Sequence, residues 1–174
     1  MKPIILAGLE KMRLRFYVSM LLLGCSFSVN AQPPPPRPIS VTNNPAQGLF
    51  FGAFYQGASG GTVTVLSNGT RSSTGSLALA SLGYTYAAAI FQVDANKGTA
   101  ISIMNGPDVT LTGSNGGSIT LHIGAASTGS SFVTSVIPPT KTQVMIGGTL
   151  TVGTPLANPS GNYSGTFSVT FIQQ

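Results

Sequence analysis

The sequence predicts an all-β chain: an immunoglobulin-like, antiparallel β-sandwich of two sheets that follows an N-terminal signal peptide. Three observations carry this expectation. Beyond Ile39 the apolar residues recur with a period of two, and no stretch has helical spacing. Clusters of Gly, Asn, Pro and Ser separate the short alternating segments. Only 6% of the residues are charged, so Ser, Thr, Asn and Gln must supply the polar surface, as they do on the solvent face of strands.

The leader comes first. Lys11, Arg13 and Arg15 form a cationic start, residues 16–29 carry no charge and contain the apolar run 18–23, and Val29-Asn30-Ala31 stands where a signal peptidase reads. The apolar run is shorter than the about 20 residues a membrane-spanning helix needs. Residues 1–31 are therefore expected to be a cleaved signal peptide, with Met12 as an alternative start. Leu22-Leu23-Gly24-Cys25 offers a second route, because it resembles a lipobox in which Cys25 is lipidated and becomes the mature N-terminus. Either route exports the protein to the periplasm, the outer surface or the medium, with no integral membrane span after cleavage.

Removing residues 1–31 lowers the net charge from +5 to +2, since Arg37, Arg71, Lys97 and Lys141 then face only Asp94 and Asp108. Four scattered cations make no phosphate-tracking patch, so nucleic acid is not an expected partner. A chain cleaved after Ala31 also has no cysteine, which leaves out disulfides and thiolate metal sites.

Residues 32–38 (QPPPPRP) read as an extended polyproline spacer and residues 39–174 as the sandwich domain. Residues 49–55 form an aromatic-rich strand. Val63 and Val65 point inward from the next, and Asn68-Gly69 marks a tight hairpin because both positions tolerate positive φ. Ala89, Phe91 and Val93 define another strand, Ile101 and Ile103 the one after, and Val109 and Leu111 a further one. Ile119, Leu121 and Ile123 alternate with Ser118, Thr120 and His122. Val144, Ile146, Gly148, Leu150 and Val152 share one face of a long strand. In the last, Tyr163, Gly165, Phe167, Val169 and Phe171 oppose Ser164, Thr166, Ser168 and Thr170. Eight or nine such strands suit a sandwich. A transmembrane barrel wants strands of about ten residues and aromatic girdles, whereas these strands are mostly shorter and the aromatics gather at residues 50–55. Gly60-Gly61, Gly116-Gly117 and Gly147-Gly148 each precede an alternating run, at unequal intervals, and are expected to supply bends or bulges rather than a repeat unit.

Chemistry is sparse. Asp94, Asp108 and His122 are the mature side chains able to act as acid or base near neutral pH, and no Gly-x-Ser-x-Gly elbow accompanies the abundant serines. One His, two separated Asp and no Cys fall short of a zinc site. The loops Asp94-Ala95-Asn96 and Asn105-Gly106-Pro107-Asp108 lack the carboxylate density of a calcium loop and read as Asx turns. The chain is thus expected to be non-enzymatic and to need no cofactor. The candidate binding surface is Phe51 and Tyr55, which share one face of an alternating strand while Phe50 and Phe54 take the other; burial in the core is the competing reading.

Read in order, Gly48-Leu49-Phe50-Phe51-Gly52, Gly60-Gly61-Thr62-Val63-Thr64-Val65, Asn68-Gly69-Thr70-Arg71, Ala88-Ala89-Ile90-Phe91-Gln92-Val93 and Ile146-Gly147-Gly148-Thr149-Leu150-Thr151-Val152 make a set of glycine-marked strands that ends on residues 161–170. This set resembles the bacterial domain-of-unknown-function family 4402 over nearly the whole mature chain. The resemblance implies secretion and a β-sandwich and transfers no functional residues. The closing Gly161-Asn162-Tyr163-Ser164-Gly165 is also similar to the last strand of fimbrial subunits and spore-coat-like domains, which often carry a cysteine pair that is absent here. Such pilins accept a strand from a neighbour's N-terminal extension. Here that extension would be residues 32–42, of which only 39–42 are free of proline and able to pair.

These readings lead to the expectation of a secreted or cell-surface structural or adhesive module that associates with itself in a pilin-like way. The alternative is a domain that binds carbohydrate or a surface polymer through Phe51 and Tyr55, tethered as a lipoprotein if Cys25 is the exit.

Overall fold

The computed structural model describes residues 37–44 and 47–174. The expected signal peptide over residues 1–31, with Cys25, and residues 32–36 of the expected spacer lie outside the described residues. Within the unit Pro36–Gln174 the described chain is all-β and its strand pairs are antiparallel.

The strands are β1 (Ser40–Asn43), β2 (Phe50–Phe51), β3 (Ala53–Val65), β4 (Arg71–Ala80), β5 (Tyr86–Ala87), β6 (Ala89–Asp94) and β7 (Ala100–Asn105). They continue with β8 (Val109–Gly113), β9 (Ser118–Ala126), β10 (Ser131–Val133), β11 (Thr142–Val152), β12 (Tyr163–Ser164) and β13 (Val169–Gln173). Alternation decides which face each buries. In β9, Ile119, Leu121 and Ile123 are buried while Ser118, Thr120 and His122 are exposed. In β11, Val144, Ile146, Leu150 and Val152 are buried.

The large sheet is built on β11. One edge of β11 pairs with β9 from Ile146 to Thr151. The other edge serves two strands in succession, β6 along Thr142 to Ile146 and β3 along Gly148 to Val152. The handover falls on Gly147, which is buried and lies against the backbone of Val65, Leu66 and Ser67. A Cβ there would collide with the Val65 carbonyl oxygen and come within 2.8 Å of the Leu66 carbonyl carbon. Only glycine fits where two neighbouring strands meet one edge. Beyond these pairs, β1 extends the sheet from β6, β8 and β12 extend it from β9, and β4 extends it from β3.

A smaller sheet runs β10-β7-β13, and β2 with β5 forms a short ribbon. The two larger sheets share chain. β7 and β8 are joined by residues 106–108, and their antiparallel neighbour follows the same corner: β12 pairs with β8 and β13 pairs with β7. At the corner the Gly106 amide donates to the Ser168 carbonyl at 2.9 Å. The alternation expected for residues 163–171 holds apart from Gly165, which is exposed: Tyr163, Phe167, Val169 and Phe171 are half-buried and Ser164, Thr166, Ser168 and Thr170 exposed, while residues 165–168 belong to no strand. That run serves two sheets rather than one.

The core has two parts. Between the sheets lie Val93, Ala95, Ile101, Ile123, Val144 and Ile146, with Phe132, Val169 and Phe171 against them. The second part gathers Phe51, Val63, Val65, Leu77, Leu111, Ile119, Leu121, Leu150 and Val152. Phe167 touches both and meets Phe91 edge-on, with centroids 6.4 Å apart.

Four sequence expectations change. The strand over 49–55 breaks at Gly52, whose φ of +66° ends β2 and starts β3. The Asn68-Gly69 turn is wider than a two-residue hairpin: the Gly69 amide donates to the Leu66 carbonyl, the Asn68 side chain accepts from the Thr70 amide, and only Gly69 takes positive φ. Strands are more numerous than eight or nine, because β5 and β10 were not foreseen and the segments over 49–55 and 163–171 each divide between two strands. Some are also longer, and β3 reaches 13 residues. The bulge expectation holds for two glycine pairs, since ladders shift register between Gln56 and Gly61 and between Ile146 and Gly148. Gly116-Gly117 lies instead in the β8–β9 turn.

Replacing Gly147 with Ala should cost about 2–3 kcal/mol, because backbone rather than a flexible side chain must move. Ile146→Ala next to it should cost about 2–5 kcal/mol by leaving a cavity. Urea unfolding of both variants checks these values, and a neutral Gly147→Ala would refute the handover geometry.

Candidate functional site

The break at Gly52 sorts the aromatic segment. Phe51 ends β2 pointing into the core, at 9% exposure, while Tyr55, two residues into β3 past the break, stands 59% exposed. The two candidate binding residues therefore do not form one exposed surface: Phe51 is core and Tyr55 is available. Phe50 is exposed too. The chain between β4 and β5 adds Tyr84, at 66% exposure, and Tyr86 begins β5 opposite Phe51.

Arg71 pins this end together. Its Nη2 donates to the Ala53 carbonyl, and its guanidinium lies 5.1 Å from the Tyr86 ring centroid. The Gly52 Cα hydrogen points at the same guanidinium, so a side chain at position 52 would displace it.

Beside these strands runs a cleft of about 1340 Å³. Residues 50–56 form one wall and residues 160–167 the other. The buried core residues Leu111, Ile119, Leu121, Leu150 and Val152 lie at the base of the cleft, each at most 7% exposed, and exposed Tyr84 also lines it. No Asp, Glu, Lys, Arg or His is among the residues that line it. Its polar groups are amides and hydroxyls, and the side chains of Asn43, Gln47 and Asn162 make no hydrogen bond to the described residues.

Asn158 is buried and fastens the far wall. Its Oδ1 accepts from the Gly153 amide and its Nδ2 donates to the Ser118 carbonyl. The Gln56 side chain crosses to the same segment, donating to the Gly153 carbonyl at 2.6 Å. Tyr163 donates its hydroxyl to the Pro159 carbonyl at 2.7 Å, and Asn115 donates to the Ser160 carbonyl.

The acid–base candidates lie elsewhere. His122 Nδ1 is 2.7 Å from Asp108 Oδ1, and both side chains are more than half exposed. They face one another across the β8–β9 hairpin, where Val109 pairs with Leu121. That register could have been found in sequence from the facing alternation of Val109-Leu111 and Ile119-Leu121. Asp94 is separate from them, in β6, where Arg37 holds its carboxylate at 3.1 Å. None of these residues lines the cleft. Among the described residues no group of three or more His, Cys, Asp or Glu is placed to hold a metal ion, and no helix is long and apolar enough to cross a membrane. Tyr84 and Tyr86 were missed as site residues; their sequence signal was the alternation Tyr84-Thr85-Tyr86 directly after Gly83.

The architecture and its cleft define a class: an antiparallel β-sandwich-like domain carrying an uncharged, aromatic-rimmed side cleft. The particular family follows from its sequence. The chain belongs to the family described as a domain of unknown function (DUF4402), whose model matches residues 39–172, the span of the strands themselves. No curated protein and no solved structure matches it.

Asn158→Ala removes the two hydrogen bonds that its buried carboxamide makes to the half-buried Gly153 amide and to the Ser118 carbonyl, and should cost about 1–2 kcal/mol. Hydrogen exchange should then quicken across residues 153–163 before the rest of the sheet. Unchanged stability and exchange would show that Asn158 does not hold the wall.

Proposed function

We propose that this chain is an exported, non-enzymatic structural or adhesive module of the bacterial cell exterior, and that its copies associate with one another. The observation that carries the reading is β4. This ten-residue strand has one neighbour, β3, and leaves its other edge unpaired among the described residues. Natural sheets guard such edges with Lys, Pro or short length. β1 follows that rule, with Pro38 and Arg37 just before it and Lys141 reaching Thr42 at 3.4 Å. β4 does not. Its one charge is Arg71, whose guanidinium is turned onto Ala53 and Tyr86. Leu79 on β4 is 40% exposed, and Leu82 just beyond it is exposed as well.

An antiparallel meeting of two β4 edges would extend the large sheet across a two-fold axis, with the same patch used on both copies. Donation of the N-terminal segment to a neighbour, as in fimbrial subunits, is less favoured. Ser40 to Asn43 already pair with Asp94 to Phe91 of their own sheet. The low charge of the mature chain supports association over mutual repulsion.

Sizing by light scattering across a concentration series should show dimers that fall apart on dilution. Leu79→Lys should hold the protein monomeric without lowering its unfolding midpoint. A wild-type chain that stays monomeric at the highest soluble concentration contradicts the reading.

A further inference from the structure

We propose that the cleft between residues 50–56 and 160–167 binds a neutral polysaccharide chain, with Tyr55 and Tyr84 as stacking platforms and Asn43, Gln47 and Asn162 as hydrogen-bonding rim. The proposal goes beyond self-association and does not depend on it, because Leu79 and Leu82 are not part of the cleft lining.

Charge is the first argument. Six charged side chains occur from Arg37 onward, and none lines a cleft of about 1340 Å³. A phosphate, an anionic glycan or a charged peptide would surrender its hydration there without a counter-charge, a cost that an uncharged ligand avoids. Size is the second. Pockets for compact small molecules run to about 300–1,000 Å³, so this larger cleft suits an oligomer.

The chemistry of the lining is the third. A pyranose offers an apolar C–H face and a girdle of hydroxyls that both donate and accept. Exposed Tyr rings supply a flat apolar platform with a polar tip, and carboxamides also donate and accept, so each sugar hydroxyl can find a matched partner. The base of Leu111, Ile119, Leu121, Leu150 and Val152 is buried at 7% exposure or less, so the Tyr rings and the rim carboxamides are the groups that meet the sugar.

An extended peptide is the rival occupant, and the walls do not suit it. A peptide that adds to a sheet needs a run of unpaired backbone along one strand. Of residues 160–167 only Tyr163 and Ser164 are in a strand, β2 is two residues long, and the stretch of β3 in the lining that has β4 as its one strand partner among the described residues, Ala53 to Gln56, offers only four residues.

The test is affinity electrophoresis of the protein through gels containing a mixed-linkage β-glucan, a galactomannan or dextran, with polygalacturonate as the charged control. Retardation is expected in at least one neutral polymer and not in polygalacturonate. Tyr55→Ala and Tyr84→Ala should each weaken it about tenfold, equivalent to about 1.4 kcal/mol, while leaving the unfolding midpoint unchanged because both rings are exposed. Leu79→Lys should be retarded like the wild type, which separates this site from the self-association edge. Passage unretarded through all three neutral polymers overturns the proposal. So does retardation only in polygalacturonate, or retardation that survives the Tyr55→Ala/Tyr84→Ala double change.

Discussion

The structure depends on a strand that must satisfy three neighbours with two edges. β11 pairs with β9 along one side and divides its other side between β6 and β3, and the division is possible because Gly147 has no side chain. Gly124 of β9 lies against the same point: a Cβ on it would sit 3.2 Å from the Gly147 carbonyl carbon. The register shift between Ile146 and Gly148 follows from this close approach. β11 also feeds both parts of the core, Val144 and Ile146 into one and Leu150 and Val152 into the other. Burial on that scale, not any single hydrogen bond, makes the strand the centre of the molecule.

The cleft is a consequence of the same division. The small sheet contributes Ile101, Phe132, Val169 and Phe171 to the part of the core beside Val144 and Ile146. It does not reach Leu150 and Val152, where the cover comes from Phe51, Leu77, Leu49 and Tyr163 instead. Two different covers over one continuous sheet leave a seam. The aromatic residues 50–55 and the segment fastened by Asn158 both line the cleft at that seam.

Much of this was legible in the sequence, and the parts that were not share a cause. Alternation found β9 and β11 because both lie inside the sheet with one face fully buried, so period two is written cleanly in Ser118-Ile119-Thr120-Leu121 and Thr149-Leu150-Thr151-Val152. It gave β4 only as the second arm of the Asn68-Gly69 hairpin, without its extent, because RSSTGSLALA carries Ser, Thr and Gly on an edge that buries little before Leu77. Gly60-Gly61 and Gly147-Gly148 were recognised as irregularities, yet the handover at Gly147 depends on three strands distant in sequence. Phe51 and Tyr55 were placed on one face because Gly52 was counted as an ordinary strand residue; its positive φ undoes that counting. The pairing of His122 with Asp108 was within reach, since it needs only the hairpin register. The cleft was not, because its floor and its two walls come from segments about a hundred residues apart in the chain.

Native-state hydrogen exchange across β11 tests the central claim most directly. If β11 is the strand on which the others depend, the amides of Val144 through Val152 should exchange only through global unfolding, at the free energy measured by denaturant. The amides of β2, β5 and the outer end of the β3–β4 hairpin should open at much lower cost. Exchange of the β11 amides by local opening, as fast as those of the aromatic ribbon, would contradict the account.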